Sequence, residues 1–374
     1  MVINAIYLLL ISYLGLNPVS YFTQGGNTCP DYQTDTIKIG LLIQDNKSTA
    51  AAHGAEMAIN KSNLFATRSG RYFKLETRNM EGPWGTGAKE TVNLVFGEDV
   101  WAVIGSVDGR NSHLAEQVSA KTHIPFISAW SGDPTLAQAF IPWYFSCVPN
   151  DLQQAAVIIG SIHKRNGSGK IVIVSDDSYD SRMAAGSFVK RAVSEGKPEP
   201  AILYYDTVSG IPGDIAGKIK KESGSCLVIF GQKGLALKLI NELRKAKINC
   251  YIFGSLLMFG EKEFTGAELE ALGGTTLVSP GYLFGKQGKD FSHEFFQLHG
   301  YKPGAAAAFS YDAVNLILDA IKNAGNDRSR LKECIAGIKH EGITGQIVFD
   351  AKGNRAGNAS LMKIENNRPV PLFY

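Results

Sequence analysis

A chain of 374 residues with 44% hydrophobic and 20% charged residues has the composition of a soluble protein and the length for two cores. Its net charge of +3 is small, and Lys and Arg are mixed with acids rather than gathered in a stripe. That balance argues against a nucleic-acid partner, which calls for clustered basic groups.

The chain opens on Ala5–Leu16 (AIYLLLISYLGL), too short to span a bilayer comfortably but the size of an export-signal core. No Lys or Arg precedes Lys38, so the usual basic flank is missing. We expect residues 1–35 to be an export signal and leader, with an ordinary buried helix as the alternative. Cys29 follows Gly26-Asn27-Thr28, a poor lipoprotein box for want of a Leu. The five cysteines show no CxxC and no Cys/His cluster, so no zinc site is expected. Cys226 and Cys250 each precede a strand, and neighbouring strands lie about 4.8 Å apart. A bridge between them is geometrically open, with two buried thiols the preferred state.

Thr36–Ile43 reads as a buried parallel strand, followed by a loop at Gln44–Ser48 and a helix over Ala50–Lys61. Phe73–Arg78 is the next strand. Gly82 to Lys89 approaches the phosphate-loop pattern, but Ala88 stands where Lys is needed, so Glu81–Gly87 is read as a turn before a helix over Ala88–Phe96. Val103–Gly105 and Pro125–Ser128 are short strands, each ending in a polar loop, Ser106–Ser112 and Ala129–Pro134. Both loops belong at the carboxyl edge of a sheet, where open α/β sheets bind ligands. After Asp151 the rhythm restarts, with helices over Gln154–Arg165, Ser181–Glu195, Ile215–Lys221 and Leu235–Lys245 between strands at Lys170–Ser175, Ile202–Tyr205, Cys226–Phe230 and Tyr251–Gly254. Leu277–Pro280 is a return crossing, and Asp290–His299, Ser310–Asn323 and Leu331–Ile338 are helices. Ile347–Phe349 and Leu361–Glu365 are expected to pair as antiparallel strands around the Asp350–Asn354 turn. Two βα series imply two α/β lobes with parallel sheets.

Three stretches in order, IGSVDGRNSHLAEQ, IPFISAW..DPTL and PW.F...P.D, resemble the periplasmic type I solute-binding proteins. The likeness is nearest to the leucine/isoleucine/valine-binding group that feeds ABC importers, and it covers roughly residues 36–374. ITGQIVFDAKGNR, from Ile343 to Arg355, resembles that family's last crossing. The resemblance implies two doubly wound lobes joined by three crossings: 36–149 plus 281–342, and 150–280 plus 343–374. The residues alone would give two consecutive domains. It also implies an extracytoplasmic receptor, taken here as a monomer, that hands a small solute to an ABC permease. A sensing module of the same fold is the alternative.

No catalytic set is present: there is no G-x-S-x-G elbow and no G-x-G-x-x-G after a strand, and the seven His are scattered. Asp176-Asp177 at a strand end reads as loop caps before it reads as a metal or acid–base pair. No enzyme, cofactor or metal is expected. In the branched-chain group one loop gives a hydroxyl and an N–H to the ligand carboxylate, and the matching positions here are Gly109 and Arg110, flanked by Asp108 and Ser112. The hydroxyl is gone, and Arg110 offers a bidentate cation; a plain Asp108-Gly109 turn with Arg110 in solvent stays open. The next loop reads Trp130-Ser131-Gly132-Asp133, with Gly132 where the family often has Thr. Trp130 reads equally as a cleft wall or as core. Tyr179 matches the aromatic that the second lobe swings over the ligand.

The second lobe departs most. Ser255-Leu256-Leu257 stands where amino-acid binders place an acid for the ligand ammonium, and Gly231-Gln232-Lys233 stands where an aromatic is usual. A desolvated ammonium without a counter-charge costs several kcal/mol. Leucine itself is therefore not the expected solute, unless Asp45, Asp108 or Asp133 substitutes for the acid. The expectation is a small polar solute of the amino-acid or amide type.

Overall fold

The computed structural model describes residues 35–64, 71–83, 85–166, 170–222 and 225–372. The export-signal reading of residues 1–35 and the setting of Cys29 fall outside it, save for Asp35 at the first strand.

Two sheets carry the chain. The first has five parallel strands in the order β2-β1-β3-β4-β5. They are β1 (Asp35–Ile43), β2 (Arg71–Asn79), β3 (Val103–Ser106), β4 (Phe126–Ser128) and β5 (Tyr144–Ser146). Their connections include α1 (Ala50–Asn63), α2 (Thr86–Val92) and α3 (Gly109–Thr122). The second sheet has the order β14-β13-β10-β9-β8-β6-β7. Its parallel part is β6 (Ile171–Asp176), β7 (Ala201–Tyr205), β8 (Cys226–Phe230), β9 (Tyr251–Gly254) and β10 (Thr276–Val278). The antiparallel strands β13 (Leu361–Glu365) and β14 (Arg368–Leu372) close one edge. Around it run α4 (Asp151–Asn166), α5 (Tyr179–Ser194), α6 (Ile215–Lys221), α7 (Lys233–Lys245) and α8 (Gly266–Ala271). These are two α/β lobes, as expected. β3, β4, β6 and β8 are buried along their whole length, which is why they read as continuous apolar runs.

After β10 the chain contributes α9 (Gly285–His299), α10 (Ala305–Ala324) and α11 (Leu331–Ala336). α10 packs against α1 and β3 of the first sheet, so this late segment completes the early lobe. The Ala305–Ala308 run keeps the first turn of α10 slim and fully buried.

Three crossings lie side by side. Arg355, buried at 8% exposure, donates from Nη1 to the Cys147 carbonyl at 2.8 Å and from Nη2 to the Thr344 carbonyl at 2.9 Å. Asp312 of α10 accepts the Ile343 and Thr344 amides, both at 2.9 Å. Gly281 has φ +82° and presses on the Thr344 carbonyl so closely that an added Cβ would lie 2.4 Å from its oxygen.

The expected hairpin between Ile347–Phe349 and Leu361–Glu365 is not formed. Ile347 ends β12 (Gly345–Ile347), which pairs with β11 (His340–Gly342), while Leu361–Glu365 pairs with β10 and β14. The Asp350–Asn354 turn closes only a single bridge, Phe349 to Arg355. Gly82 (φ +147°) and Gly85 (φ +98°) make the tight turn before α2, in keeping with turn chemistry there. Cys147, Cys226, Cys250 and Cys334 form no disulfide with one another.

Candidate functional site

In the first sheet the strand order reverses between β1 and β3, and in the second between β6 and β8. Loops leaving such a pair turn to opposite faces, and a crevice opens at the carboxyl ends. A cleft of about 640 Å3 lies where the two crevices face each other. Gln44, Asp45 and Ser48 after β1, with Ser106 at the end of β3 and Asp108 after it, form one wall. Ser178, Tyr179 and Asp180 after β6, with Gln232 and Lys233 after β8, form the other. Trp130, Leu257, Glu261, Lys262 and Ala306 add to the lining, with Lys47 beside Asp45.

The polar groups of the wall are held in place. Asp108 caps α3, its Oδ1 accepting the Asn111 amide at 2.8 Å, and it exchanges two hydrogen bonds with the Gln44 side chain at 3.3 and 3.2 Å. Asp45 Oδ1 accepts from the Lys47 and Ser48 amides at 2.8 and 2.9 Å. Asp176 Oδ1 takes the Ser178 hydroxyl at 2.6 Å and its Oδ2 the Gln232 amide at 3.2 Å, while Asp177 takes the Thr207 amide at 2.9 Å. This aspartate pair therefore shapes the β6 and β8 loops.

The walls touch through acids. Gly109 N–H donates to Asp180 Oδ1 at 2.8 Å, Ser131 Oγ donates to the same oxygen at 3.4 Å, and Tyr179 Oη donates to Asp133 Oδ2 at 3.0 Å. Burial, reinforced by the charges of Asp108 and Asp133, pushes the Asp180 carboxyl up to about 7 despite those hydrogen bonds. Burial raises Asp133 too, but His113, Thr135 and Tyr179 outweigh it and leave its carboxyl below the ordinary value. His113 sits between Asp133 and Glu116, each at 3.4 Å, and hydrogen bonding to them lifts it to about 9. Asp151, buried behind Gly132, is driven well up by burial and by Asp180 and Asp133.

The structure brings Asp108, Trp130, Tyr179 and Gln232 together on the lining. Gly109 and Ser131 lie at the seam beneath it and give their donors to Asp180. Arg110 is exposed and faces a neighbouring groove of about 310 Å3 shared with Met80, Gly82 and Leu114. Gly132 is buried against Asp151. Leu256 is buried at 4% exposure with its amide on Gln154 Oε1, and Leu257 takes the place on the lining. Residue-level reading passed over Asp180, Glu261 and Ala306. Asp180 was within reach, one residue past Tyr179 in the same strand-end loop; Glu261 and Ala306 carry no local signal.

Two α/β lobes with facing switch points, three crossings and an interlobe cleft define a two-lobed binding protein. The chain belongs to the periplasmic binding protein family, whose model matches residues 36–367. This is a family of extracytoplasmic solute binders rather than enzymes. Among solved structures, the branched-chain amino acid transporter substrate binding protein LivJ from Streptococcus pneumoniae, in complex with isoleucine, is 23% identical. It aligns over 90% of this chain and 99% of its own, with a TM-score of 0.73. The leucine binding protein LivK from Thermotoga maritima is 18% identical over 91% and 98% of the two chains, TM-score 0.75. An R. palustris ABC transporter solute binding protein, in complex with benzoate, is 19% identical over 90% and 95%, TM-score 0.77. No curated protein matches the chain.

Proposed function

We propose that this protein is the extracytoplasmic solute receptor of an ABC importer, binding a small polar solute of the amino-acid or amide type between its lobes. The observation that carries this reading is the cleft at the facing switch points, walled by both lobes. Its size suits a small organic molecule. Trp130, Tyr179 and Leu257 supply apolar surface, and Gln44, Ser48, Asp108 and Gln232 supply hydrogen-bonding groups. The lobes, 36–149 plus 281–342 and 150–280 plus 343–374, move about the three crossings. A solute touching both walls favours the closed form, and a membrane permease reads that form. Residues 1–35 direct export, and the receptor works as a monomer without nucleic acid.

The test is native mass spectrometry of the protein as purified, followed by thermal shifts against amino acids, amides, ureas and carboxylates. One co-purified or stabilising small solute, with no turnover, is the expected result. Silence across the panel would move the reading to a sensing module or to a solute outside these classes.

A further inference from the structure

The helix N-termini that the first lobe turns toward the cleft are already occupied by the second lobe. Gly109, the first residue of the fourteen-residue α3, gives its N–H to Asp180, and Ser131 adds a hydroxyl on the same oxygen. Ala50, the first residue of α1, gives its N–H to Glu261 Oε2 at 2.9 Å. An amide and a hydroxyl converging on one oxygen at a helix N-terminus is an arrangement that grips a carboxylate. Here the carboxylate is a side chain of the protein.

We propose that Asp180 is a built-in stand-in for a solute carboxylate: it draws the lobes together without solute and keeps an incoming carboxylate off α3. The proposal rests on the cleft being the solute site and narrows the solute to one held there through an amide or amine. Three arguments support it. The Gly109 and Asn111 amides at α3 are taken by Asp180 and Asp108, so a solute carboxylate gripped through Gly109 would have to displace Asp180. Asp45, Asp108 and Glu261 line the same cleft, so a second free carboxylate would meet like charge. Of the three lysines on the lining, Lys233 is held by Glu268 at 3.2 Å and Lys262 lies over the Tyr301 ring, so these two are engaged away from the α3 terminus, while Lys47 sits on the β1 loop beside Asp45.

The experiment uses the full chain stripped of solute. Small-angle scattering compares wild type with Asp180→Ala, and Asp180→Asn serves as the control that keeps an oxygen acceptor and the fold. At about pH 5, below the raised Asp180 value, the wild type and Asp180→Asn should be compact, and Asp180→Ala should open to a larger radius of gyration with unchanged circular dichroism. Calorimetry with L-leucine and L-leucinamide should then show wild type preferring the amide. Asp180→Ala should gain at least tenfold for L-leucine with little change for L-leucinamide. Identical scattering from wild type and Asp180→Ala overturns the proposal even where solutes bind. So does a wild type that prefers L-leucine. No binding to either protein across the wider solute panel, with the scattering difference intact, instead overturns the amino-acid or amide reading of the cleft.

Discussion

Gly109 and Asp180 stand 71 residues apart and in different lobes, yet the amide of the first donates to the carboxylate of the second across 2.8 Å. The approach depends on a missing side chain. A Cβ on Gly109 would lie 2.8 Å from Tyr179 Cε1 and 2.9 Å from Asp133 Oδ2. Tyr179 is anchored from above by its own bond to Asp133, so the contact has little room to slide.

Gly109→Ala should therefore hold the seam open without unfolding either lobe, since Ala is well tolerated in a helical first turn. We expect a larger radius of gyration, a melting temperature within a few degrees of wild type, and solute affinity down about tenfold, or about 1.4 kcal/mol. An alanine variant as compact as wild type would show that the close approach does not control closure.

Closure should depend on pH. Asp180 is raised to about 7 in the closed seam, against about 3.9 for a solvated Asp. Its ionised form is thus penalised on closing, so its contribution is fully present below about pH 4 and fades as pH rises through about 7. The groups around it are Asp108 on the β3 loop, Asp133 and its partner His113, Tyr179 on its own helix, and Asp151 at the start of α4. Asp151 is raised and acts in the same direction, while Asp133 is lowered and opposes it. The tryptophan fluorescence of a variant that keeps Trp130 alone of the four, and the scattering radius, followed from about pH 5 to 8.5, should report opening with rising pH. Asp180→Asn should flatten the part of that profile centred near neutrality, and a profile unchanged by the substitution would refute the assignment.

Arg355 ties the first crossing to the third. Replacing it with Met fills part of the volume but leaves the carbonyls of Cys147, Thr344 and Gln346 short of a donor. Each buried unpaired carbonyl, here those of Cys147 and Thr344, costs about 1–3 kcal/mol, and with partial relaxation we expect a total of about 3 kcal/mol in urea unfolding. A loss under about 1 kcal/mol would mean that water replaces the guanidinium at the crossings.

Gly281→Ala tests the same region through the backbone. The residue sits at φ +82° with the Thr344 carbonyl where a Cβ would go. Left-handed strain and the clash together should cost about 2 kcal/mol. Because Thr344 belongs to the third crossing, the variant should also change the open–closed balance seen by scattering. A variant that loses stability but keeps the wild-type radius would separate the two roles.

Much of the architecture was legible before the structure. Cys226–Phe230 begins and ends where its apolar run does, because a strand buried on both faces tolerates only apolar residues. Loops after such strands lie at the ligand edge, which is why Asp108 and Trp130 could be placed on a cleft from residue order, while Tyr179 and Gln232 were pointed to by the family resemblance. Arg110 marks where that reasoning stops. It follows Gly109 by a single residue, but successive helical residues point about 100° apart, and Arg110 faces a different groove.

The chain by itself determined most of the strands and helices, though not elements such as β5, β14 or α8, and hence that there are two α/β lobes, since hydrophobic period and turn residues are local properties. What covers what was decided only in three dimensions. Ile347 and Leu361 each had strand character, but their partners were chosen by the neighbouring edges of two different sheets. The α3 N-terminus offers an anion site in any setting, and nothing in its own residues says that Asp180 fills it. Pairing across a seam is set by the relative placement of two lobes, and the free energy of that contact does not reside in either sequence segment alone.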